Sequence, residues 1–512
     1  MRKKRVLIVN CFIDEFRVPI KRKLKFPQPV TPAFLAGVFS PDYCDIKLYN
    51  EVYSGPLEDE KLLSFPDMLV LTGLNSSFDR MLHLTAYART KNKNVIVVAG
   101  GPIIRALYHY STRFFDYCCT GDIEQIADVI EDAFGREYIC EKFLEKGWAV
   151  PRYDLTYWMT HFGHAESSRN CCYSCDFCSL TGEKAKYKEY PIDYLRDQLT
   201  AMGKRMALAF VDNNFGGTNR QFLLDRFELL QEFKERGYFK RWVAITTNDF
   251  FKEDENLELA RKSGCVNLFS GVESFDKDAL ISFKKYQNVR MPLPQVEIIR
   301  KCQDAGISFY YGLVFDVSTR PISEFKDELD FIVNNPDISL PCFLTLAIPL
   351  VGTPSFHQCL REKRFLPNIK LRDLDGTTLS LKPLGPMDET VQFIQDLQNL
   401  KGYRRKILRH SIKFFNRYKN KLSWWPMGQA MLCGPLLTAQ KFATTGPETF
   451  KSFKNGYRKY ERTFVGSTEP LDSFYSPAFR VDSRYEKYFK PTMLTDAQGN
   501  LSENLYMDLY PN

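Results

Sequence analysis

Two rhythms of apolar residues follow one another along the chain. Between residues 1 and 140, short β-branched runs at 5–9, 45–49, 68–71, 94–98 and 115–119 alternate with helically spaced stretches such as 78–89 and 123–134. Runs that short suit strands buried on both faces, and helical crossovers between them make the sheet parallel and doubly wound, Rossmann-like. A second βα series follows, with strands expected at 207–211, 242–246, 266–270, 308–315 and 342–348. Its helices are expected at 192–203, 220–236, 256–263, 293–305 and 322–333. About six βα units suit a (βα)6-type partial TIM barrel, whose chemistry lies at the carboxyl ends of its strands. The rhythm stops after Pro383. The expected α/β layout is a Rossmann-like domain at 1–140, an aromatic, irregular linker at 141–164, a barrel at 165–384 and a helical, then loop-rich region at 385–512.

Composition places the chain among ordinary folded proteins: 512 residues, 44% hydrophobic and 26% charged. No run of eighteen uncharged apolar residues occurs, which excludes a transmembrane helix. The basic, then apolar start from Met1 to Asn10 is followed at once by Asp14 and Glu15, so it reads as a first strand rather than a secretory signal. A cytoplasmic location is expected.

Lys and Arg number 70 against 62 Asp and Glu, a net charge of +8. Nine of those bases fall between Lys401 and Lys421, where no acid occurs, so the remainder of the chain stands near −1. Within 403–422, Tyr403, Ile407, Leu408, Ser411, Ile412, Phe415, Tyr418 and Leu422 are expected on one helix face and Arg405, Arg409, Lys413 and Arg417 on the other. The apolar stretch Leu422-Ser423-Trp424-Trp425-Pro426-Met427 comes next. Residues 403–427 thus offer peripheral contact with an anionic membrane, against a plain solvated face or an RNA-binding one.

Fourteen cysteines, too scattered for a disulfide scaffold, read mostly as reduced core residues; Cys11, Cys44, Cys265, Cys302 and Cys342 are of this kind. Cys171, Cys172, Cys175 and Cys178 differ, falling within eight residues in the loop after the first barrel strand. Thiolates this close suit zinc or iron–sulfur. Structural zinc wants four ligands, the fourth drawn from Cys172, Cys119, His161 or His164. Three thiolates instead leave a 4Fe–4S cluster with one iron open to a ligand.

The spacing Cys171-x-x-x-Cys175-x-x-Cys178, with Phe177 before the last cysteine, resembles the radical S-adenosylmethionine (SAM) enzymes. Companion segments stand where that family has them: Phe210-Val211-Asp212-Asn213-Asn214-Phe215, Gly271-Val272-Glu273-Ser274, Lys285-Tyr286-Gln287-Asn288 and Pro349-Leu350-Val351-Gly352-Thr353-Pro354. The resemblance implies that Cys171, Cys175 and Cys178 hold the cluster and that SAM chelates the fourth iron. Glu273, with Asp212, Asn213 and Asn248, would meet the polar groups of SAM, and Phe177 would shield the cluster or pack near adenine. It also implies an electron donor such as flavodoxin or ferredoxin.

A doubly wound domain before such a barrel resembles the cobalamin (B12)-binding subclass. Histidine-ligating B12 domains carry D-x-H-x-x-G after the second strand; here Asn50-Glu51-Val52-Tyr53-Ser54-Gly55 puts Val52 in place of the imidazole. Thr72, Gly73, Leu74, Gly100, Gly101 and Gly121 would lie beside the corrin and its tail. The subclass resembled most, over residues 1–400, contains the methylases and cyclases of hopanoid and tetrapyrrole type. It implies transfer of a methyl group from methylcobalamin to an unactivated carbon of a bulky apolar molecule, initiated by a 5′-deoxyadenosyl radical. The alternative is a non-methylating oxidative cyclisation, ring contraction or other rearrangement. A tRNA methylthiotransferase would want three cluster cysteines in the first domain, where Cys11 and Cys44 have no third partner before Cys118; nucleic acid is therefore not the expected partner. A non-catalytic sensor would leave the SAM-type strand ends unexplained.

Overall fold

The computed structural model describes residues 2–12, 29–440, 442 and 475–509. Asp14, Glu15 and much of 441–474 lie outside the described residues. Packing divides the chain into two compact units. One comprises Met1–Met159, Ile348–Ser380 and Ala443–Asn512; the other comprises Thr160–Ala347 and Leu381–Phe442.

The first unit is built on β1 (Lys4–Asn10), β2 (Cys44–Asn50), β3 (Met68–Thr72), β4 (Ile96–Gly100) and β5 (Tyr117–Cys119). All neighbours pair parallel in the order β2-β1-β3-β4-β5. The five expected strands are present; the fourth lies two residues later than its apolar run suggested. β1 and β3 are adjacent, but the chain runs outward from them in opposite directions, so their carboxyl ends form the crevice where ligands enter such sheets. The Cys11 amide donates to Thr72 O at 2.7 Å and extends the pairing to that crevice.

Helix Phe78–Lys91 is buried at every position from Phe78 to Ala88, more than one apolar face explains. The C-terminal segment accounts for the second face: His83 stacks on Phe489 at 4.5 Å and Tyr87 lies 4.5 Å from Phe479. Asp79, its carboxyl raised by burial, accepts the Thr492 amide at 3.1 Å. Residues 348–380 join the same unit through a Lys370–Met493 bridge and the Leu371 amide on Thr492 O.

The second unit carries β6 (Phe162–Ala165), β7 (Ser168–Arg169), β8 (Lys188–Glu189), β9 (Ala207–Phe210), β10 (Arg241–Thr246), β11 (Cys265–Ser270), β12 (Ser308–Tyr310), β13 (Gly312–Phe315) and β14 (Phe343–Leu346). A parallel sheet runs β12-β11-β10-β9-β6, and β13 pairs parallel with β14. The strand expected at 308–315 is broken at Tyr311, and one parallel bridge from Glu273 to Leu313 ties the two sheets together. Helices Ile192–Met202, Arg220–Glu235, Asp254–Ser263, Gln295–Asp304 and Ile322–Asn334 cross between the strands as the spacing predicts. The second starts where the Asn219 side chain accepts the Gln221 and Phe222 amides.

Three expectations need correction. The barrel expected over 165–384 is interrupted, because 348–380 packs within the first unit through its pairing with Thr492 and Met493. The stretch 141–164, read as irregular, contains helix Glu141–Lys146 and the start of strand β6. The apolar residues of helix Arg404–Tyr418 do not share one face. Ile407, His410, Phe414 and Tyr418 are buried, with His410 Nε2 on the carbonyls of Asn335 and Ile338 and Tyr418 Oη donating to Asp337 O. Leu408, Ile412 and Phe415 are exposed. Among the described residues no helix is long and apolar enough to cross a membrane.

Candidate active site

At the carboxyl end of β6 the backbone turns into the cysteine loop, and a buried carboxylate holds that turn. Asp212, just past β9, accepts the amides and hydroxyls of both Ser167 and Ser168 at 2.6 to 3.2 Å. Arg226 stands 3.8 Å from it; neither side chain has any exposure, and Arg226 also donates to Ser167 Oγ at 3.0 Å. Beyond the turn, the antiparallel pairing of β7 with β8 closes the base of a loop that contains all four cysteines. Asp212 therefore positions this loop from within, its oxygens already occupied.

Inside the loop Cys175 is buried, Cys171 and Cys178 are half-buried and Cys172 is exposed. Gln287 Nε2 donates to Cys175 Sγ at 3.2 Å, and Asn214 Nδ2 to Cys172 Sγ at 3.6 Å. Cys171 donates to Cys172, which raises the Cys171 thiol and brings Cys172 down to about 7. Burial raises Cys178, with the Lys285 ammonium opposing it. Phe177 lies 5.5 Å from Phe283, and the Lys285 ammonium is 5.7 Å from its ring centre.

Glu273 closes the other side. It adopts φ +61, rare for a residue with a side chain, and its amide and carbonyl bond to Gly312 O and Val314 N, tying the end of β11 to β13. Its carboxylate meets Lys285 Nζ at 2.5 Å. Gly271 makes room for this pair: a Cβ there would lie 2.3 Å from Lys285 Nζ and 2.4 Å from Glu273 Oε1. Asn248, buried, accepts from Ser270 Oγ at 2.8 Å and donates to Gln295. Asn288 joins it to the Gly271 carbonyl at 2.8 Å. Cys175, Cys178, Phe177 and Glu273 are thus gathered around Lys285 and Gln287, with Asn248 tied to the Gly271 carbonyl through Gln295 and Asn288. Asn213 is exposed and makes no hydrogen bond among the described residues.

Cys171, Cys175 and Cys178 put three thiols on one short loop, the donor chemistry that an iron–sulfur cluster takes. Among the described residues no three His, Cys, Asp or Glu side chains converge on a single metal position, so the zinc reading finds no tetrahedron. One orphaned buried hydroxyl, Thr181 Oγ1, lies one turn beyond Cys178.

The carboxyl edge of the first unit has another character. Buried Thr72 leads to Gly73, where a Cβ would lie 2.8 Å from Ser77 Cβ and 3.0 Å from Cys11 O. Gly101, at φ +113, passes so close that a Cβ would lie 2.7 Å from Gly73 O. Gly100 lies beside Cys119, and Gly121 beneath Gln125. Leu74 is 68% exposed between them. Behind this edge Glu51 and Arg80 form a buried ion pair at 2.7 Å, and Glu51 also accepts the amides of Phe12 and Leu57. Val52 presents no ligating atom.

Asn214, Lys285, Gln287 and Arg226 were missed as site residues. The first three stand inside the motif segments, but spacing does not reveal which side chains point at the cysteines. Arg226 had a readable signal: an arginine on the apolar face of Phe222, Leu229, Leu230 and Phe233 demands a buried acid.

Residues 166–332 match the sequence model of the radical SAM superfamily, so this part of the chain is a radical SAM domain. That class of enzyme implies a 4Fe–4S cluster, SAM and a reductant. The hopanoid C-2 methylase of Rhodopseudomonas palustris (strain TIE-1) is 25% identical over 416 residues, covering 77% of this chain and 75% of the relative. In fold, the chain is similar to the cobalamin-dependent SAM radical enzyme OxsB with aqua-cobalamin bound: TM-score 0.58, 16% identity, 85% of this chain and 72% of that one. It is also similar to the radical SAM methyltransferase TsrM from Kitasatospora setae, solved with tryptophan substrate and a SAM analogue: TM-score 0.53, 12% identity, 72% of this chain and 78% of that one.

Proposed function

We propose that the chain is a cobalamin-dependent radical SAM methyltransferase acting on an unactivated carbon of a bulky apolar molecule. The observation that carries the cobalamin part is the glycine-lined, apolar crevice at the β1/β3 switch point, where Gly73 and Gly101 bring backbone against backbone beside exposed Leu74. Turns without side chains keep these strand ends low, so that a broad, flat ligand can lie on them. Two similarities support it, a relative named as a hopanoid methylase and a fold neighbour solved with cobalamin. When bound, the cluster supplies the electron that splits SAM and cobalamin supplies the methyl carrier.

The chain's own residues do the rest. Cys171, Cys175 and Cys178 would hold three irons, on a loop pinned by Asp212 and Arg226. Gln287 donates to the Cys175 sulfur, a hydrogen bond of the kind that tunes cluster potential. Glu273, steadied by Lys285, offers a carboxylate to the SAM amino group, and Asn248 offers an amide further along the edge. Phe177 and Phe283 keep water from the cluster side. Val52 would supply no imidazole to a bound cobalamin. We take β6, β9, β10, β11, the interrupted β12–β13 and β14 as six βα units of a partial barrel.

The test is anaerobic reconstitution of the full chain with iron, sulfide and cobalamin, followed by SAM and a reductant. Expected are cluster absorbance, retained corrinoid, 5′-deoxyadenosine and S-adenosylhomocysteine, with an apolar substrate gaining one CH2 unit in mass. Failure to retain cobalamin removes the methylation reading alone. Deoxyadenosine without S-adenosylhomocysteine, corrinoid retained, establishes the rearrangement reading instead.

A further inference from the structure

Helix Arg404–Tyr418 has a second apolar stripe that no core explains. Its buried line, Ile407, His410, Phe414 and Tyr418, packs inside the unit, with Phe414 and Tyr418 clustered against Leu422, Met427 and Ala430. Leu408, Ile412 and Phe415 nevertheless stand in solvent, 63%, 54% and 45% exposed. They are spaced i, i+4 and i+7, one contiguous strip of helix surface. The next helix, Trp424–Ala439, contains no charged residue and exposes Trp424, Gly428, Leu432 and Pro435 at helical spacing, Trp424 by 71%. Scattered exposed apolar residues are ordinary, but aligned strips on two packed helices are not.

The charge beside the strip is selective. Of the nine bases in 401–421, Lys401, Lys406, Arg417 and Lys421 pair with Asp396, Asp330, Asp337 and Asp304. Arg405, Arg409, Lys413 and Lys419 are exposed and form no ion pair among the described residues. Arg405, Arg409 and Lys413 lie along one flank of the Leu408–Ile412–Phe415 strip, by the helical angle of their positions. Structural bases are thus answered by acids, while those bordering the strip are left for an external anion.

We propose that this helix pair is a docking surface for an anionic lipid bilayer, with Leu408, Ile412, Phe415 and Trp424 entering the interface and Arg405, Arg409 and Lys413 meeting lipid phosphates. A bilayer uses both features at once, apolar depth and negative surface charge. RNA would engage the bases and leave the strip in water; a second copy of the chain would set the same unpaired bases against each other. The proposal stands on these helices alone and does not depend on the cofactor reading.

The test is co-sedimentation of the full-length protein with vesicles of phosphatidylcholine alone and with a quarter phosphatidylglycerol. Binding is expected only to the anionic vesicles. The variant R405Q/R409Q/K413Q should lose affinity on the order of 100-fold. The variant L408Q/I412Q/F415Q should weaken it at both low and high salt, by on the order of 10-fold or more. All six side chains are solvent-facing, so unchanged circular dichroism is expected for both. Fluorescence quenching by brominated lipid should fall in W424F. Equal vesicle binding by wild type and charge variant overturns the proposal. So does RNA binding lost in the charge variant while the apolar variant holds vesicles undiminished. Self-association that depends on Leu408, without vesicle binding, overturns it too.

Discussion

The carboxyl edges of the two parallel sheets are built on opposite terms. In the second unit the edge is lined with side chains that already hold one another: Asp212 with two serines and Arg226, Glu273 with Lys285, Gln287 on Cys175, Asn248 through Gln295 to Asn288. In the first unit a buried ion pair, Glu51 with Arg80, sits behind the edge, and the edge itself is glycine and leucine. A prewired polar edge fixes where charge and thiolate stand before any ligand arrives, as preorganised catalysis needs. A bare backbone edge contributes closeness and little orientation, which suits a large cofactor with its own chemistry.

If the edges are independent, the largest effect comes from the thiols. Replacing Cys171, Cys175 or Cys178 by alanine should abolish iron retention and deoxyadenosine formation while leaving cobalamin retention unchanged. C172A should keep the iron. Iron analysis and corrinoid absorbance on the same samples check this. Loss of corrinoid in the cysteine variants would mean that the edges are one site.

Next come the buried pairs. E51Q leaves Arg80 charged without its partner, and removal of one member of a buried pair costs about 3–5 kcal/mol. D212N does the same to Arg226 and also turns a wholly accepting carboxylate into an amide facing four donors. Urea unfolding should show both losses, but only D212N should release iron, because only Asp212 holds the cysteine loop.

The sequence carried the strands and crossover helices almost completely, because apolar run length and helical spacing are local properties. It carried the cysteine loop as well, since ligand spacing is itself a local pattern. It could not carry directions. Leu408, Ile412 and Phe415 were grouped with the buried residues because an apolar side chain one position off the packed line looks the same in sequence. Likewise Asp212, at the end of a barrel strand, was placed toward SAM, whereas its oxygens are taken by Ser167 and Ser168, a contact across 44 and 45 residues. The return of 348–380 to the first unit depends on pairing with Thr492 and Met493, far beyond any window of periodicity.

Two glycines sharpen the contrast at smaller cost. G101A places a methyl against the Gly73 carbonyl, backbone that cannot yield, at a φ that side chains avoid. A loss of about 1–3 kcal/mol and weakened cobalamin retention are expected, with iron intact. G271A meets the Lys285 ammonium and the Glu273 carboxylate, the mobile ends of side chains. The fold should survive with iron and corrinoid retained, and deoxyadenosine formation should slow as Glu273 is displaced.

The smallest effect separates the units by pH. His164, on β6 inside the second unit, has its pKa lowered by burial to about 4 from an ordinary 6.5. As pH falls below about 6.5 the unfolded chain takes up a proton that the folded chain refuses, so stability drops with falling pH until about 4, where both forms are protonated. At pH 5.5 the loss relative to pH 7 is about 1.2 kcal/mol. His83 on the first unit's helix and His410 in the second unit are also lowered by burial, so wild type should show all three contributions. Unfolding free energies from pH 7 to 5.5 should therefore slope less steeply in H164N than in wild type, whatever the level at pH 7. Equal slopes would mean that His164 takes up its proton as readily in the fold as in the unfolded chain, which burial opposes and only an anion beside β6 would offset, making the second unit's edge more charged than its visible pairs account for.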